Sequence, residues 1–329
     1  MINQTDVALA GSPRWPEWAC PEHRVTLVQE NDSLVCPVGC RHPVRGSIPR
    51  FVPGSAYASA FGLQWLRYRR TQLDSHTGVP VTARRMQRCF GTEAWERLRD
   101  QHVLEAGCGA GRFTEVLLQQ GARVTSVDLS DAVDANQQNF PQGPAHRIAQ
   151  ADILKLPFAP CQFDVVFCLG VIQHTPSPEA TIAALYDNVR PGGLLVIDHY
   201  APTLSWYTKT APLFRMVLKR LSPEAGLRAT DAIVHALLPL HRSVRNWYLG
   251  QALLSRISPV ICYYHGIPDL GDASQREWAL LDTHDSLTDW YKHFRSERQI
   301  QQTLDRLGVV ETCCADRGSN VEARGRRPG

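Results

Sequence analysis

The sequence predicts an α/β fold, a mixed sheet covered by helices, on three observations. Between about residues 101 and 200, short apolar strands alternate with amphipathic helices. That rhythm is the mark of a parallel sheet with helices on both faces. A glycine-rich turn joins the first of these strands to its helix. The chain then closes on a helix, Ser296–Leu307, followed by strand candidates Val309–Ala315 and Val321–Arg324 around a turn at Arg317–Asn320. Such a hairpin brings the sheet to seven strands.

The elements divide the chain by composition. Residues 13–55 are rich in Pro, Gly and Cys, with a strand-like stretch near Val25–Gln29, and read as a small ribbon. Residues 56–100 are aromatic and basic, and read as a helical leader broken by a loop around Gly78–Pro80. In the alternating region, His102–Ala106, Arg123–Asp128, Ile148–Ala151, Phe163–Leu169 and Leu194–Asp198 are the expected strands. Arg112–Gln120, Asp131–Asn139 and Pro178–Val189 are the expected helices. Residues 201–295 interrupt this pattern with apolar helical stretches such as Leu213–Leu221 and Ala232–Leu238. We read them as a helical insertion and a candidate lid within a sheet domain spanning 101–329.

Bulk properties narrow the function. The 329 residues are 43% apolar and 20% charged, with a net charge of +3. This is a globular composition, without the concentrated basic face of a dedicated nucleic-acid binder. Lysine occurs only at Lys155, Lys209, Lys219 and Lys292, so the positive charge is mostly arginine. Residues 1–11 show no basic run leading into an apolar one, unlike a signal peptide. No apolar run approaches the roughly 20 residues that cross a bilayer. The expectation is a cytoplasmic protein whose ten cysteines are reduced, buried or metal-bound. Cys108, Cys161 and Cys168 lie in apolar patterns and read as core.

The most informative stretch is Val103-Leu-Glu105-Ala-Gly107-Cys-Gly109-Ala-Gly111-Arg. Glycines let the turn stay tight and a ligand approach the backbone, and the helix N-terminus offers free N–H donors. The Gly-x-Gly-x-Gly spacing differs from the Gly-x-Gly-x-x-Gly of pyrophosphate binders. Asp128 ends the second strand, 23 positions after Glu105, where an acid can accept from both ribose hydroxyls. Asp152 and Ile153 follow the third strand, Leu169 and Gly170 end the fourth, and Arg190-Pro-Gly-Gly193 precedes the fifth.

With these residues in that order, the sequence resembles the class I S-adenosylmethionine-dependent methyltransferases, densely over residues 101–200 and more loosely at the C-terminal hairpin. The resemblance implies a Rossmann-like seven-stranded mixed sheet and S-adenosylmethionine as cofactor. It implies Glu105 and Gly107 near the amino-acid end of that cofactor, Asp128 at the ribose, and Asp152 and Ile153 at the adenine, with Gly109, Gly111, Leu129 and Leu169 also among the cofactor-binding residues. Tyr57–Ser75, Gly170-Val-Ile-Gln-His174-Thr-Pro, Leu281-Asp282-Thr-His284-Asp285 and Tyr291-Lys-His293 look like a bacterial subgroup with a ribbon-like N-terminus and a helical insertion. The resemblance implies that the leader, with Gln64, Trp65, Gln72 and Asp74, folds over the cleft. Ser319-Asn320-Val321 departs from that subgroup's usual Asn-Gly turn.

In the ribbon, Cys20 and His23 form one ligand pair, Cys36 and Cys40 another. Four such donors suit a closed tetrahedral zinc site, which would be structural. The competing reading is a metal-free ribbon with two buried cysteines.

Methyl transfer needs alignment and exclusion of water, and a base only where the acceptor carries a proton. The fourth strand runs into Gly170-Val-Ile-Gln-His174 and lacks the Asn-Pro-Pro-Tyr type of motif that holds an exocyclic nitrogen. His174 is the first candidate base. His199 and Tyr200 end the fifth strand, and His284 with Asp285 is a His–Asp pair able to tune a base. These residues point to a small-molecule or lipid-like acceptor under a lid. One alternative is an RNA base methyltransferase using the Arg67–Arg70 and Arg84–Arg88 clusters. Another is a non-catalytic, cofactor-binding regulator. The basic amphipathic stretch Phe214–Leu221 admits both a packed helix and a membrane-surface helix.

Overall fold

The computed structural model describes residues 15–52, 59–204 and 208–329. Residues 1–11, the ribbon's expected ends at 13–14 and 53–55, and Tyr57 lie outside that set.

The ribbon is a four-stranded antiparallel sheet in sequence order: β1 (Val28–Glu30), β2 (Ser33–Val35), β3 (Arg41–Arg45) and β4 (Ile48–Pro49). The first strand starts three residues later than Val25, because residues 20–25 form a turn: Arg24 N–H donates to Cys20 O (2.8 Å) and Cys20 N–H to Val25 O (2.8 Å). The ribbon leans on the edge of the main sheet, where Phe51 N–H donates to Gln150 O at 2.8 Å. Trp18 stacks on Phe158 there, at 5.1 Å between centroids.

The leader contains α1 (Ser59–Arg67), α2 (Asp74–Thr77), α3 (Val81–Phe90) and α4 (Thr92–Glu96). Strands β5 (His102–Ala106), β6 (Arg123–Asp128), β7 (His146–Gln150), β8 (Phe163–Cys168) and β9 (Val189–Tyr200) follow. Helices α5 (Arg112–Gln119), α6 (Ala132–Asn139) and α7 (Pro178–Asp187) lie between them. Ser177 caps α7 through Ala180 N–H, with Pro178 in the first turn. The insertion holds α8 (Ala211–Leu218), α9 (Pro223–Ser243), α10 (Tyr248–Ile257) and α11 (Asp272–Thr288). The chain ends on α12 (Glu297–Arg306), β10 (Val310–Asp316) and β11 (Asn320–Arg326). The expected Leu213–Leu221 helix stops at Leu218, because Ser222 caps α9 and Pro223 opens it.

The main sheet has the order β10-β11-β9-β8-β5-β6-β7. β5–β9 run parallel, and β11 joins antiparallel to β9. It is the expected Rossmann-like seven-stranded mixed sheet. The Arg190–Gly193 turn is absorbed as an irregularity in β9, where the pairing skips from Val189 to Leu194. One buried layer, with Leu104, Phe163, Ile182 and Leu304, fills one face of the sheet, and another, with Phe90, Val116, Phe167 and Val196, fills the other. The strand order reverses between β5 and β8, which opens a crevice at their carboxyl ends, the usual ligand position in such sheets. Among the described residues, no helix is long and apolar enough to cross a membrane.

Candidate active site

The crevice is a cavity of about 660 Å³. Its floor is the turn after β5, where Gly107, Gly109 and Gly111 all have positive φ (80°, 50° and 94°). A Cβ on Gly107 would lie 2.3 Å from Val171 Cγ2, and one on Gly111 2.7 Å from Phe140. A side chain at either position would force the loop apart. Gly107, Cys108 and Gly109 line the cavity, while Gly111 sits behind it and starts α5.

Asp128, Leu129, Asp152, Ile153 and Leu169 all line the same cavity. Asp128 Oδ2 accepts from Gly109 N–H at 2.9 Å, and Oδ1 accepts from the Ser130 amide (2.9 Å) and hydroxyl (2.7 Å). Burial nevertheless pushes its carboxyl up. A carboxylate oxygen has two lone-pair sites, so one site is left on Oδ2, where a ligand hydroxyl would relieve that desolvation. Asp152 caps Leu154 N–H at 2.9 Å through Oδ1. These groups fit the ribose and adenine edge of an adenosine-bearing cofactor.

Glu105 does not reach the cavity. Its carboxylate turns inward, accepts from Thr114 Oγ1 (2.5 Å) and Ser126 Oγ (2.8 Å), and is pushed up to about 7 by burial. As the last but one residue of a strand buried on both faces, it points between β5 and α5. It braces the glycine turn from behind.

The acceptor end is built from distant segments. His174 lines the cavity beside Phe61 and Tyr200, whose rings lie 5.6 Å and 5.4 Å from its own. His174 Nδ1 lies 3.2 Å from Tyr291 O and 3.1 Å from Asp289 Oδ2. The N–H is aligned on the Tyr291 carbonyl, and the Asp289 contact is an ion pair without hydrogen-bond alignment. Either acceptor fixes the proton on Nδ1 and leaves Nε2 for the cavity. Burial pulls the imidazole down, but Asp289 and Asp285 more than offset it, so His174 titrates above its ordinary range. Burial pushes Asp289 up, but Lys292, His174 and Arg215 outweigh it and hold the carboxyl below its ordinary range.

Asp285 and Asp282 line the cavity from α11. Burial raises Asp285, and pushes Asp282 up to about 6. Asp282 accepts from Tyr263 OH and from Gln72 Nε2 (2.9 Å). Gln64 Nε2 donates weakly to Asp285 at 3.4 Å. Trp65 lies over the glycine loop, 3.1 Å from where a Gly109 Cβ would stand. Asp74 instead ties the leader together, accepting from Thr82 and Ala83 N–H at 2.9 Å each.

Two expected site histidines lie elsewhere. His284 faces away from the cavity into the insertion, with Nδ1 3.0 Å from Thr230 Oγ1, and burial lowers it to about 4. It shares α11 with Asp285, but adjacent helical residues point about 100° apart, so the two do not pair. His199 is buried in β9, beside Val321 of β11, its Nδ1 3.0 Å from Tyr200 O, and is lowered to about 4 by burial. Strand alternation turns Tyr200 to the cavity and His199 away from it. Asp289 is the site residue that sequence reasoning missed. It lies 115 positions from His174 and carries no motif of its own. The signal in the sequence was the Tyr291-Lys-His293 stretch just beyond it.

In the ribbon, the Sγ atoms of Cys20, Cys36 and Cys40 each lie 3.5 Å from His23 Nδ1. The donor atoms of Cys20, His23 and Cys36 fall within 4.8 Å of one another.

Residues 104–197 match the family model described as Methyltransferase domain. Over this stretch the chain carries a methyltransferase domain. Over 100 residues it is 37% identical to the ubiquinone biosynthesis O-methyltransferase of Pseudomonas entomophila, covering 29% of this chain and 43% of that protein. The corresponding protein of Pseudomonas aeruginosa is 36% identical over 104 residues, covering 31% and 45%. The matches thus span less than half of these relatives. Among solved structures, the magnesium protoporphyrin IX methyltransferase of Synechocystis with bound SAH aligns at 15% identity and a TM-score of 0.45, over 82% of this chain and 96% of that one.

Proposed function

We propose that the chain methylates a small, largely apolar acceptor through a hydroxyl group, with S-adenosylmethionine as methyl donor. The observation that carries this is His174. It stands in the same cavity as Asp128 and the glycine turn, with Nδ1 committed to Tyr291 O and Asp289 and with Nε2 left over. The O-methyltransferase name of the relatives agrees with a hydroxyl acceptor.

The cofactor supplies an electrophilic methyl group on a sulfonium. The chain's residues do the rest. Asp128 would hold the ribose, Asp152 and Ile153 would bound the adenine, and the glycine turn would let the amino-acid end approach the backbone. Phe61, Trp65 and Trp278 narrow the acceptor space and exclude water. His174 Nε2 takes the acceptor's hydroxyl proton as the oxygen attacks, and Asp289 steadies the imidazolium that results. The leader (56–100) and insertion (201–295) act as the cover of this cleft, within a sheet domain spanning 101–329.

The RNA alternative is less favoured because four of the six arginines in the basic clusters are engaged. Arg67 pairs with Asp231, Arg69 donates to Asn139, Arg85 pairs with Asp198 and Arg88 with Glu322. The binding-only alternative leaves the buried His174–Asp289 pair without a use. Titration of the purified protein with S-adenosylmethionine, followed by turnover on hydroxylated aromatic small molecules and on structured RNA, separates all three. Cofactor binding with RNA-only turnover overturns the acceptor, and absence of binding overturns the whole reading.

The closeness of the Cys20, His23 and Cys36 donors supports zinc in the ribbon, with Cys40, outside that close group, as the proposed fourth ligand. Metal bonds of about 2.3 Å to sulfur and 2.0–2.1 Å to nitrogen at a tetrahedral angle separate S and N by about 3.6 Å, against the 3.5 Å found three times. Val38 N–H points at Cys36 Sγ (3.4 Å), and Gly39 N–H closes the loop on Cys36 O (2.8 Å). The reading is one structural zinc on Cys20, His23, Cys36 and Cys40, holding a ribbon whose own core is small. Metal analysis should give one zinc per chain after removal of adventitious metal, and a clearly substoichiometric value overturns the site.

A further inference from the structure

Helix α10 is built inside out. Its buried positions are Gly250 and Gln251, and Gln251 donates to His241 Nδ1 at 2.9 Å. Leu249, Leu253 and Ile257, which recur every four residues along one face, are 64–69% exposed. Helix α8 repeats the pattern: only Ala211 and Leu218 are buried, while Leu213, Met216 and Val217 are 56–64% exposed. A soluble helix ordinarily turns such a stripe inward. Here both stripes face outward, and the two helices meet at one end, where Thr210, at the start of α8, donates N–H to Arg256 O (2.9 Å) and Oγ1–H to Ile257 O (2.8 Å) at the end of α10. Trp247 and Tyr248 extend the surface and are also exposed. Their amphipathic rings suit a boundary between apolar and wet phases.

Charge identifies the occupant. Residues 204–260 carry eight Lys or Arg against two Asp or Glu, net +6 in a chain of net +3. Three of these cations are paired with acids outside the segment, Arg215 with Asp289 and both Arg242 and Arg245 with Asp272. Among the described residues, Lys219, Arg220 and Arg256 make no ion pair with an acidic side chain. Lys219 instead packs over the exposed Trp290 ring, at 5.4 Å. Apolar stripes bordered by cations and aromatic rings have the chemistry of an interfacial helix pair on an anionic bilayer.

We propose that α8 and α10 form a docking face for the surface of an anionic lipid bilayer, with the leucine, isoleucine and methionine side chains entering the headgroup–acyl boundary and the cations meeting lipid phosphates. The mouth of the cleft adjoins this face, since Thr203, Lys209 and Ile261 line the cavity. Where the methyl-transfer reading above also holds, an apolar acceptor has a short path from bilayer to cleft.

The test is sedimentation of the full-length protein with phosphatidylcholine vesicles, with and without phosphatidylglycerol, over a salt series. We expect binding to the anionic vesicles that weakens as salt screens the cations. The double variant L253E/I257E should lose binding by on the order of tenfold or more, and K219E/R220E should lose the preference for phosphatidylglycerol. All of these residues are on the surface, so unchanged thermal melting is expected for each. Wild-type protein that stays in solution with every vesicle overturns the proposal, as does binding indifferent to L253E/I257E. A wild-type dimer that becomes monomeric in L253E/I257E, without vesicle binding, assigns the face to a second copy and also overturns it. Cofactor titration on the same samples keeps the two readings apart. Vesicle binding without cofactor binding sinks only methyl transfer, and the reverse sinks only docking.

Discussion

The two ends of the cavity are made in different ways. The cofactor end comes from consecutive strand termini: the turn after β5, Asp128 after β6, Asp152 after β7 and Leu169 after β8. Their spacing in the chain mirrors their spacing in the sheet, since each parallel strand delivers one residue to the same edge. The acceptor end joins Gln64 and Trp65 of the leader, His174 after β8, Tyr200 of β9, and Asp282, Asp285 and Asp289 from α11 and the turn after it. Sequence distance says nothing about neighbourhood there. The first end follows from a repeating supersecondary unit, the second from how an insertion packs back over the sheet.

This contrast predicts that substitutions at the two ends fail in different ways. The largest effect is expected from His174→Gln. The loss of a positioned base should lower kcat by about 100- to 10,000-fold while cofactor affinity, read by calorimetry, stays as in wild type. Equal damage to cofactor binding would erase the distinction between the ends. At the other end, Asp128→Ala should weaken S-adenosylmethionine binding by about tenfold or more, roughly 1.4 kcal/mol. Unaltered affinity would show that the ribose hydroxyls do not use this acid.

The pH profile sharpens the acceptor end. A base acts in its neutral form, and the folded protein raises His174 above its ordinary value of 6.5. The activity kcat/KM should therefore rise with pH through a limb lying above 6.5. Asp289→Asn removes a charge that favours the imidazolium, so the limb should move to lower pH. A limb that stays in place would make Asp289 a structural residue only. The same shift has a stability consequence of defined sign. A raised histidine pKa contributes stability that is full below the unfolded value and is lost as pH rises through the folded one.

The smallest effect concerns how the insertion is held. Trp278 Nε1 of α11 donates to Thr71 O of the leader at 2.8 Å. Trp278→Phe keeps most of the packing and removes the donor, at a cost of about 1 kcal/mol in a thermal or denaturant melt. A neutral result would mean that the leader and insertion stay joined through other contacts, such as Tyr68 OH to Asp231 (2.8 Å).

The helices and strands of residues 101–200 lie close to where periodicity puts them, and the C-terminal helix and hairpin differ from expectation by a residue or two at each end. Among the candidate site residues, Gly107, Gly109, Asp128, Leu129, Asp152, Ile153, Leu169, His174 and Asp285 meet in one cavity. Gly111 sits behind it, and Glu105, His199 and His284 do not reach it, these three for one shared reason. A motif fixes the position of a Cα, but strand alternation or the helical turn decides which side the chain presents. Glu105 points between strand and helix, His199 is the inward neighbour of Tyr200, and His284 is a helical step away from Asp285.

The sequence by itself determined the sheet, the glycine turn and the acids at its edge, because these depend on local periodicity and on backbone conformations that only certain residues adopt. The convergence of three ribbon cysteines on one histidine was half visible in their spacing. Only the tertiary structure decided that Asp289 sits at His174 and that Trp65 lies over Gly109. It alone decided, too, that α8 and α10 turn leucines to solvent while Gln251 is buried. Those arrangements arise from packing between segments far apart in the chain, whose relative placement is set by the total burial of the insertion and by no pattern within any one of its helices.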